Sequence, residues 1–144
     1  MLWISVLLWD RTSILERVNN ISAHRDSIEA AQVAAAAVLD KKGLDVAMLD
    51  MSELMPVTDM FLVATGTSNR HVKSLAGEIE LKLKERLDYH PVRREGLDAA
   101  RWVLLDYGDI VIHIFDEETR AYYSLERLWA DAPIIEVEPV TQEA

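Results

Sequence analysis

Hydrophobic residues in the first half of the chain change from helical to extended spacing. After Asp26 they recur every three or four positions, which predicts an amphipathic helix that ends before Gly43. Asp26 followed by Glu29 has the form of a capping box, and glycine suits the left-handed position after a helix. Hydrophobic and polar residues alternate over Leu44–Asp50, as in a strand with one buried face. The uninterrupted apolar run Met60–Thr65 predicts a strand that is covered on both faces.

A second, longer helix is predicted after the turn Gly66-Thr67-Ser68. Its buried stripe falls at six positions with helical spacing: Val72, Leu75, Ala76, Ile79, Leu83 and Leu87. Pro91–Arg94 is a candidate short strand. The strands Trp102–Asp106 and Asp109–Phe115 follow, and the two residues Tyr107-Gly108 between them predict a hairpin.

The last predicted helix runs over Glu117–Trp129, with Asp116 as its cap and Pro133 beyond its end. Tyr122, Leu125 and Trp129 share one side of this helix, which predicts core packing. The order of helix, strand, helix, strands and helix predicts an α/β fold in which helices pack on a mixed sheet.

The two-residue loop determines which hairpin residues face each other. Asp106 would pair with Asp109, Leu104 with Val111 and Trp102 with His113. One face of the hairpin is then apolar and predicts core: Val103, Leu105, Ile110, Ile112 and Ile114. The other face carries Trp102, Leu104, Asp106, Asp109, Val111 and His113. Two acids opposite each other cost free energy unless water or a cation screens their charges.

Two interpretations of this second face stay open from the residues alone. It is either a partly buried aromatic face with an acidic, solvated tip, or a docking patch. In a docking patch, Trp102 and Tyr107 would be the anchors, because both residue types are favoured at interfaces. Asp106 and Asp109 would face a basic partner.

The composition argues against several classes of function. The 144 residues suggest one domain, half of them are hydrophobic, and no cysteine is present for disulfide or thiol chemistry. The formal charge of −10 argues against direct nucleic-acid binding, which requires positive charge to displace counterions from phosphates. An acidic chain can still reach a nucleic-acid machine through one of its basic proteins.

We divide the chain into an N-terminal extension at residues 1–25, a domain at residues 26–133 and a tail at residues 134–144. The apolar run Leu2–Trp9 is shorter than the about 20 residues that span a bilayer, and no positive leader precedes it. No membrane association is expected. A poorly ordered extension and a short helix that docks on a hydrophobic partner both fit this segment.

Two further features have alternative interpretations. Gly66-Thr67-Ser68 could cradle a phosphate at a helix start, or Thr67 or Ser68 could simply cap the helix. His113 could be a base or metal ligand, or a hydrogen-bonded structural histidine beside Trp102. The four histidines have no spacing typical of a metal site, so neither a metal nor a cofactor is expected.

Four segments in order resemble the ribosomal silencing factor family, also called the Iojap-like proteins. They are Thr58-Asp59, Ala64–Lys73, Arg101–Phe115 and Tyr123–Trp129, and the resemblance extends from Asp26 to Pro133. It implies a nucleotidyltransferase-like fold and a homodimer in the bacterial cytoplasm. It also implies docking on the fourteenth protein of the large ribosomal subunit, at the intersubunit face. Bound there, the chain would block subunit joining and lower translation in slow growth or starvation.

The resemblance also implies which residues contact the partner. In the hairpin they are Trp102, Val103, Leu104, Asp106, Tyr107, Gly108 and Asp109, and at the start of the second helix they are Arg70, His71 and Lys73. Nucleotidyltransferases place Gly-Ser at a helix start and an Asp-x-Asp pair nearby, to hold the metal that bridges the triphosphate. This chain has Gly66-Thr67-Ser68 and no Asp-x-Asp, so the fold is expected without catalysis.

Overall fold

A six-stranded mixed sheet forms the centre of the computed structural model, which describes residues 24–123 and 130–137. Along the chain the elements are α1 (Arg25–Asp40), β1 (Leu44–Asp50), β2 (Met60–Gly66), α2 (Asn69–Leu87), β3 (Arg93–Glu95), β4 (Trp102–Asp106), β5 (Ile110–Asp116), α3 (Glu117–Tyr123) and β6 (Ile134–Ile135). The strand order is β3-β4-β5-β2-β1-β6. β2 and β5 are parallel and the other neighbours are antiparallel, so the predicted mixed α/β sheet is confirmed. No helix in the described ranges is long and apolar enough to cross a membrane.

The larger core lies between one face of the sheet and helices α1 and α2. α1 contributes mainly alanines, whose small side chains allow close approach to the sheet and to α2. α2 contributes the predicted stripe: Val72, Leu75, Ala76, Ile79 and Leu83 are buried, and Leu87 is partly buried. The sheet contributes the predicted apolar side of the hairpin, since Val103, Leu105, Ile110, Ile112 and Ile114 are all inaccessible. Alternation alone therefore identified the core face correctly.

The opposite face of the sheet has a smaller core. Its buried members are Leu49, Met51, Phe61, Val63, Phe115 and Ala132, with Leu54, Met55, Trp102 and Val111 packed against them. The cluster is centred on β1, β2 and β5. The β4 side of this face is covered less completely, and three of its residues are half-buried: Trp102, Leu104 and Asp106.

Helix α1 begins and ends differently from the prediction. Asp26 lies inside the first turn, and it is Asp59 that accepts hydrogen bonds there, from His24 N at 3.1 Å and Ser27 Oγ at 3.0 Å. At the other end Lys42, with φ 62°, takes the left-handed conformation predicted for Gly43. Gly43 is needed for space instead, because a Cβ there would lie 2.2 Å from Val38 Cγ1.

The start of α2 agrees with the capping interpretation of Gly66-Thr67-Ser68. Ser68 is the N-cap, and its Oγ accepts from His71 N at 3.0 Å. The helix packs on the sheet next to the parallel strands β2 and β5, so its first turn lies at the end of the sheet where both strands finish.

The hairpin register differs from the prediction by two residues. Asp106 pairs with Val111, Leu104 with His113 and Trp102 with Phe115. The turn lies one residue further along the chain, at Gly108-Asp109, and Tyr107 N donates to Ile110 O across it at 2.9 Å. The predicted Asp106–Asp109 pair is therefore wrong. A shift of two keeps each side chain on its predicted face, because strand side chains alternate with period two.

The C-terminal region contains one confirmed cap, one error and one missed strand. Asp116 caps α3 as predicted, accepting from Thr119 N at 2.8 Å. Tyr122 is 81% exposed, so its predicted core packing is wrong. The predicted continuation of the helix lies in residues 124–129, outside the described part of the chain. Ile134–Ile135 pairs with β1, so the sheet extends into the segment that we assigned to the tail.

Candidate functional site

The hairpin presents a half-open strip on the face of the sheet opposite α1 and α2. We call it the open face: Trp102, Leu104 and Asp106 of β4, and Val111 of β5. All four are half-buried, and they lie side by side because Asp106 pairs with Val111 and the three β4 residues alternate along one face. The strip combines apolar surface with one carboxylate at its end.

Charged residues of the edge strand β3 border the open face. Arg93 Nη2 donates to Asp106 Oδ2 at 3.2 Å, and Arg93 Nε lies 3.2 Å from Glu95 Oε2. The other oxygen of Asp106 accepts from Gly108 N at 2.8 Å. Exposed ion pairs of this kind stabilise a fold by less than about 1 kcal/mol. Their main effect is to position the Asp106 carboxylate between the edge strand and the loop. The sequence pattern placed Arg93 and Arg94 in a candidate short strand and did not identify this border.

Beneath the open face, His113 is buried among aromatic rings. Trp102 Nε1 donates to His113 Nδ1 at 3.1 Å, and the Phe61 ring lies 4.7 Å from the imidazole. Burial lowers the pKa of His113 to about 4, so the ring is neutral near pH 7. The interpretation of His113 as a structural histidine beside Trp102 is confirmed.

Tyr107 is not the exposed anchor that we expected. Its side chain is 4% exposed and its ring lies 4.9 Å from that of Tyr89, whose hydroxyl donates to Tyr107 O at 3.1 Å. Burial raises the pKa of the Tyr107 hydroxyl. The reason is alternation: Tyr107 has the parity of Val103 and Leu105, which face the helices. Val103 is inaccessible for the same reason, so neither side chain can touch a partner.

The tip of the hairpin is exposed at Gly108 and Asp109. Gly108 has φ 87°, a conformation that favours glycine. The backbone oxygen of Asp109 accepts from Asp59 N at 2.7 Å and from Met60 N at 3.1 Å. These bonds attach the tip to the start of β2 and leave the Asp109 carboxylate at the surface.

Comparisons with known proteins determine the family. The family model described as "Ribosomal silencing factor during starvation" matches residues 24–144. The chain belongs to this family. It is 43% identical over 112 residues to a ribosomal silencing factor of Halalkalibacterium halodurans, covering 78% of this chain and 95% of that protein. A crystal structure of a Chromobacterium violaceum protein superposes with a TM-score of 0.68 at 42% identity, covering 72% of this chain and 85% of the other.

A more distant relative carries a name that mentions the large ribosomal subunit. It is the mouse protein "Mitochondrial assembly of ribosomal large subunit protein 1", which is 38% identical over 88 residues. The match covers 59% of this chain and 38% of the mouse protein.

The family model and the bacterial relatives confirm, at the level of the family, the resemblance that we inferred from ordered sequence motifs.

The three predicted contact residues of α2 lie apart from the open face. Arg70 and Lys73 are exposed on a helix that packs on the other face of the sheet. His71 is half-buried: its Nδ1 accepts from Thr67 N at 2.9 Å, and its Nε2 lies 2.7 Å from Lys41 O. His71 therefore links the first turn of α2 to the end of α1, which is a structural role that sequence reasoning did not identify.

The two hairpin acids, which are the candidates for the metal-binding pair of a nucleotidyltransferase, have different surroundings. Asp106 pairs with Arg93 and Val111, and Asp109 lies in the loop beyond it. Within residues 24–123 and 130–137, no group of three or more histidine and acidic side chains is arranged to hold a metal ion. The names of the silencing-factor relatives describe regulators of the ribosome.

Proposed function

We propose that this chain binds the large ribosomal subunit through its open face and blocks joining of the small subunit. The target would be the fourteenth protein of the large subunit, at the intersubunit face. The effect would be to lower translation in slow growth or starvation. The observation that carries the proposal is a half-open apolar strip ending in a carboxylate, on a member of the ribosomal silencing factor family.

The chemistry of the open face suits a basic protein partner. Trp102 and Leu104 offer apolar contact, and tryptophan is among the residues that dominate binding energy at interfaces. Asp106 adds a carboxylate at the edge of the strip. The net charge of −10 would speed encounter with a basic surface and make binding sensitive to salt. Val103 and Tyr107 would support this surface from within.

The mechanism needs no bond-making step. A protein bound at the intersubunit face occupies space that the small subunit requires, so its affinity need only compete with subunit joining. The name of the mouse relative supports the large subunit as the target. Arg70 and Lys73 would contribute only if the partner extends around the end of the sheet.

The decisive experiment is co-sedimentation with purified large subunits. Leu104→Arg should abolish binding, because it places a positive charge in the apolar strip against a basic partner. Leu81→Arg is the matched control, since Leu81 is 47% exposed on α2, on the other side of the sheet. Both variants should melt near the wild-type temperature. Normal sedimentation of folded Leu104→Arg protein would refute the assignment of the open face.

A subunit-joining assay tests the consequence of binding. Wild-type protein should reduce the yield of joined ribosomes in proportion to its occupancy of large subunits, and Leu104→Arg should not. Incubation with labelled nucleoside triphosphates and magnesium tests the enzymatic alternative, for which we expect no transfer and no hydrolysis. Turnover that disappears in Asp106→Asn would favour catalysis.

We extend the proposal to a homodimer in the bacterial cytoplasm. We also propose that the folded unit includes α1 and continues past residue 133, because Ile135 is buried in the sheet through its pairing with Met48. Sedimentation equilibrium of the full chain measures the dimer directly. A monomeric mass at micromolar concentration would contradict it.

A further inference from the structure

A cleft of about 320 Å³ adjoins the open face at the end of the sheet where α3 begins. Three aromatic rings line it, those of Trp102, Tyr122 and Tyr123. Two carboxylates, Asp116 and Glu118, lie in the same lining. The cleft thus combines ring faces with negative charge, and Trp102 belongs both to it and to the open face.

The aromatic side chains form a continuous series from solvent to core. The Tyr122 and Tyr123 rings are 5.0 Å apart, and the Tyr123 and Trp102 rings are 4.9 Å apart. Trp102 in turn lies 4.9 Å from the buried ring of Phe115. Tyr122 is 81% exposed and Tyr123 is 44% exposed. Exposed aromatic surface held by a packed ring is typical of a binding site.

The charges in the cleft favour a cation. The Glu118 side chain makes no hydrogen bond or ion pair with any described residue, and the Asp116 carboxylate uses only its Oδ1, for the cap of α3. Arg101 contributes one positive charge to the lining. Two carboxylates against one guanidinium leave the lining with one net negative charge.

We infer that this cleft holds an arginine side chain of the partner that docks on the open face, an inference that rests on the proposed function. A guanidinium group is flat, so it can stack on a tyrosine or tryptophan ring while it donates hydrogen bonds to a carboxylate. Tyr122 and Glu118 supply these two groups. Because Trp102 is shared, a partner that covers the open face has its surface next to the mouth of the cleft.

The first test uses N-acetyl-arginine methylamide as the probe and follows binding by NMR. The Trp102 indole N–H is a suitable reporter because it is hydrogen-bonded to His113. The citrulline analogue, which has nearly the same shape but no charge, is the matched control. Arginine should shift the reporter in a saturable way and citrulline should not. Equal shifts with both probes would overturn the inference.

Variants determine the sign of the charge that the cleft prefers. Tyr122→Ala should weaken binding of the arginine probe about tenfold, as expected for loss of one cation–π contact, and Tyr122→Phe should retain it. Glu118→Gln should weaken binding and Arg101→Gln should tighten it. Glu29→Gln, an exposed acid on α1, is the neutral control. If Arg101→Gln weakens binding, the cleft prefers an anion and the inference is wrong.

A second test separates this inference from the proposed function. In co-sedimentation with large subunits, Tyr122→Ala and Glu118→Gln should each weaken binding, whereas Leu104→Arg should abolish it. If only Leu104→Arg has an effect, the cleft inference fails and the proposed function stands. If all three bind normally, the proposed function fails as well. Reporter shifts that depend on protein concentration without any probe would show that a second copy fills the cleft, which also overturns the inference.

Discussion

The indole of Trp102 donates a hydrogen bond to Nδ1 of His113 at 3.1 Å, from one strand of the hairpin to the other. The two residues are diagonal neighbours, because Trp102 pairs with Phe115 and His113 pairs with Leu104. The bond requires a lone pair on Nδ1, so the proton of the neutral ring lies on Nε2. That nitrogen is buried and has no hydrogen-bond partner among the described residues. The histidine therefore positions the tryptophan only while it stays uncharged.

Stability should fall as the pH is lowered through the range in which His113 would gain a proton. Burial lowers its pKa from 6.5 to about 4, so between these values the unfolded chain binds the proton and the folded chain does not. The contribution of neutral His113 to the free energy of unfolding is fully present above pH 6.5 and is lost as the pH falls towards 4. The expected loss is roughly 3 kcal/mol in the free energy of unfolding. Urea denaturation at pH 7 and pH 4 measures it.

His113→Asn is the control for this pH dependence. The asparagine side-chain oxygen can accept from Trp102 Nε1, and it does not titrate. The carboxylates contribute equally to the pH dependence of both proteins. Between pH 7 and pH 4 the variant should therefore lose less free energy of unfolding than the wild type, and the difference is the contribution of His113. Equal losses would show that His113 does not titrate as its burial implies.

Substitutions at Tyr107 should separate the contribution of its ring to stability from that of its hydroxyl. Tyr107→Ala should lower the free energy of unfolding by about 3 kcal/mol or more, since it leaves a cavity in the core. Tyr107→Phe should leave stability unchanged or raise it by about 1 kcal/mol, because the buried hydroxyl has no partner within the described ranges. Equilibrium unfolding in urea distinguishes the two. A large loss in Tyr107→Phe would reveal a partner for the hydroxyl.

Asp59→Ala should destabilise the start of α1 although the two are distant in sequence. It removes the acceptor for His24 N and Ser27 Oγ, which is expected to cost about 1 kcal/mol. Asp26→Ala removes the residue that the sequence nominated as the cap. It should cost only a few tenths of a kcal/mol through the helix dipole. Amide hydrogen exchange in the first turn of α1 compares the two variants. Equal loss of protection in Asp59→Ala and Asp26→Ala would contradict the role of Asp59.

Alanine substitution at two glycines should separate backbone strain from steric conflict. Gly96 and Gly108 have similar φ values of 83° and 87°, so alanine costs about 1–2 kcal/mol of strain at either position. At Gly96 the new Cβ would also lie 2.1 Å from Trp102 O, whereas at Gly108 nothing lies within 4 Å. Gly96→Ala should therefore be less stable by a further 1–3 kcal/mol or so. Equal melting temperatures of the two variants would show that the Trp102 backbone moves away from the new Cβ at little cost in free energy.

From the sequence, only the alternation of side chains along the two hairpin strands predicted part of the candidate site. Period-two spacing assigned Leu104 to the mixed aromatic and acidic face of the hairpin and Leu105 to the apolar face, and both assignments hold in the structure. The same rule would have placed Tyr107 inside, had it been applied to the loop. The cleft was missed because Tyr122 was assigned to a core-facing stripe, and its exposure depends on where α3 lies against the sheet.

The sequence by itself determined the family, the approximate positions of the helices and the long strands, and the faces that α2 and the hairpin bury. These follow from local geometry, since side-chain direction repeats every two residues in a strand and every 3.6 in a helix. Only the tertiary structure decided the hairpin register, the pairing of Ile134–Ile135 with β1, and the capping of α1 by Asp59. Each of these depends on contacts between residues that are separated by a loop or by a longer stretch of chain, and their energies are set by which surfaces meet in the folded state. Local spacing carries no information about such contacts.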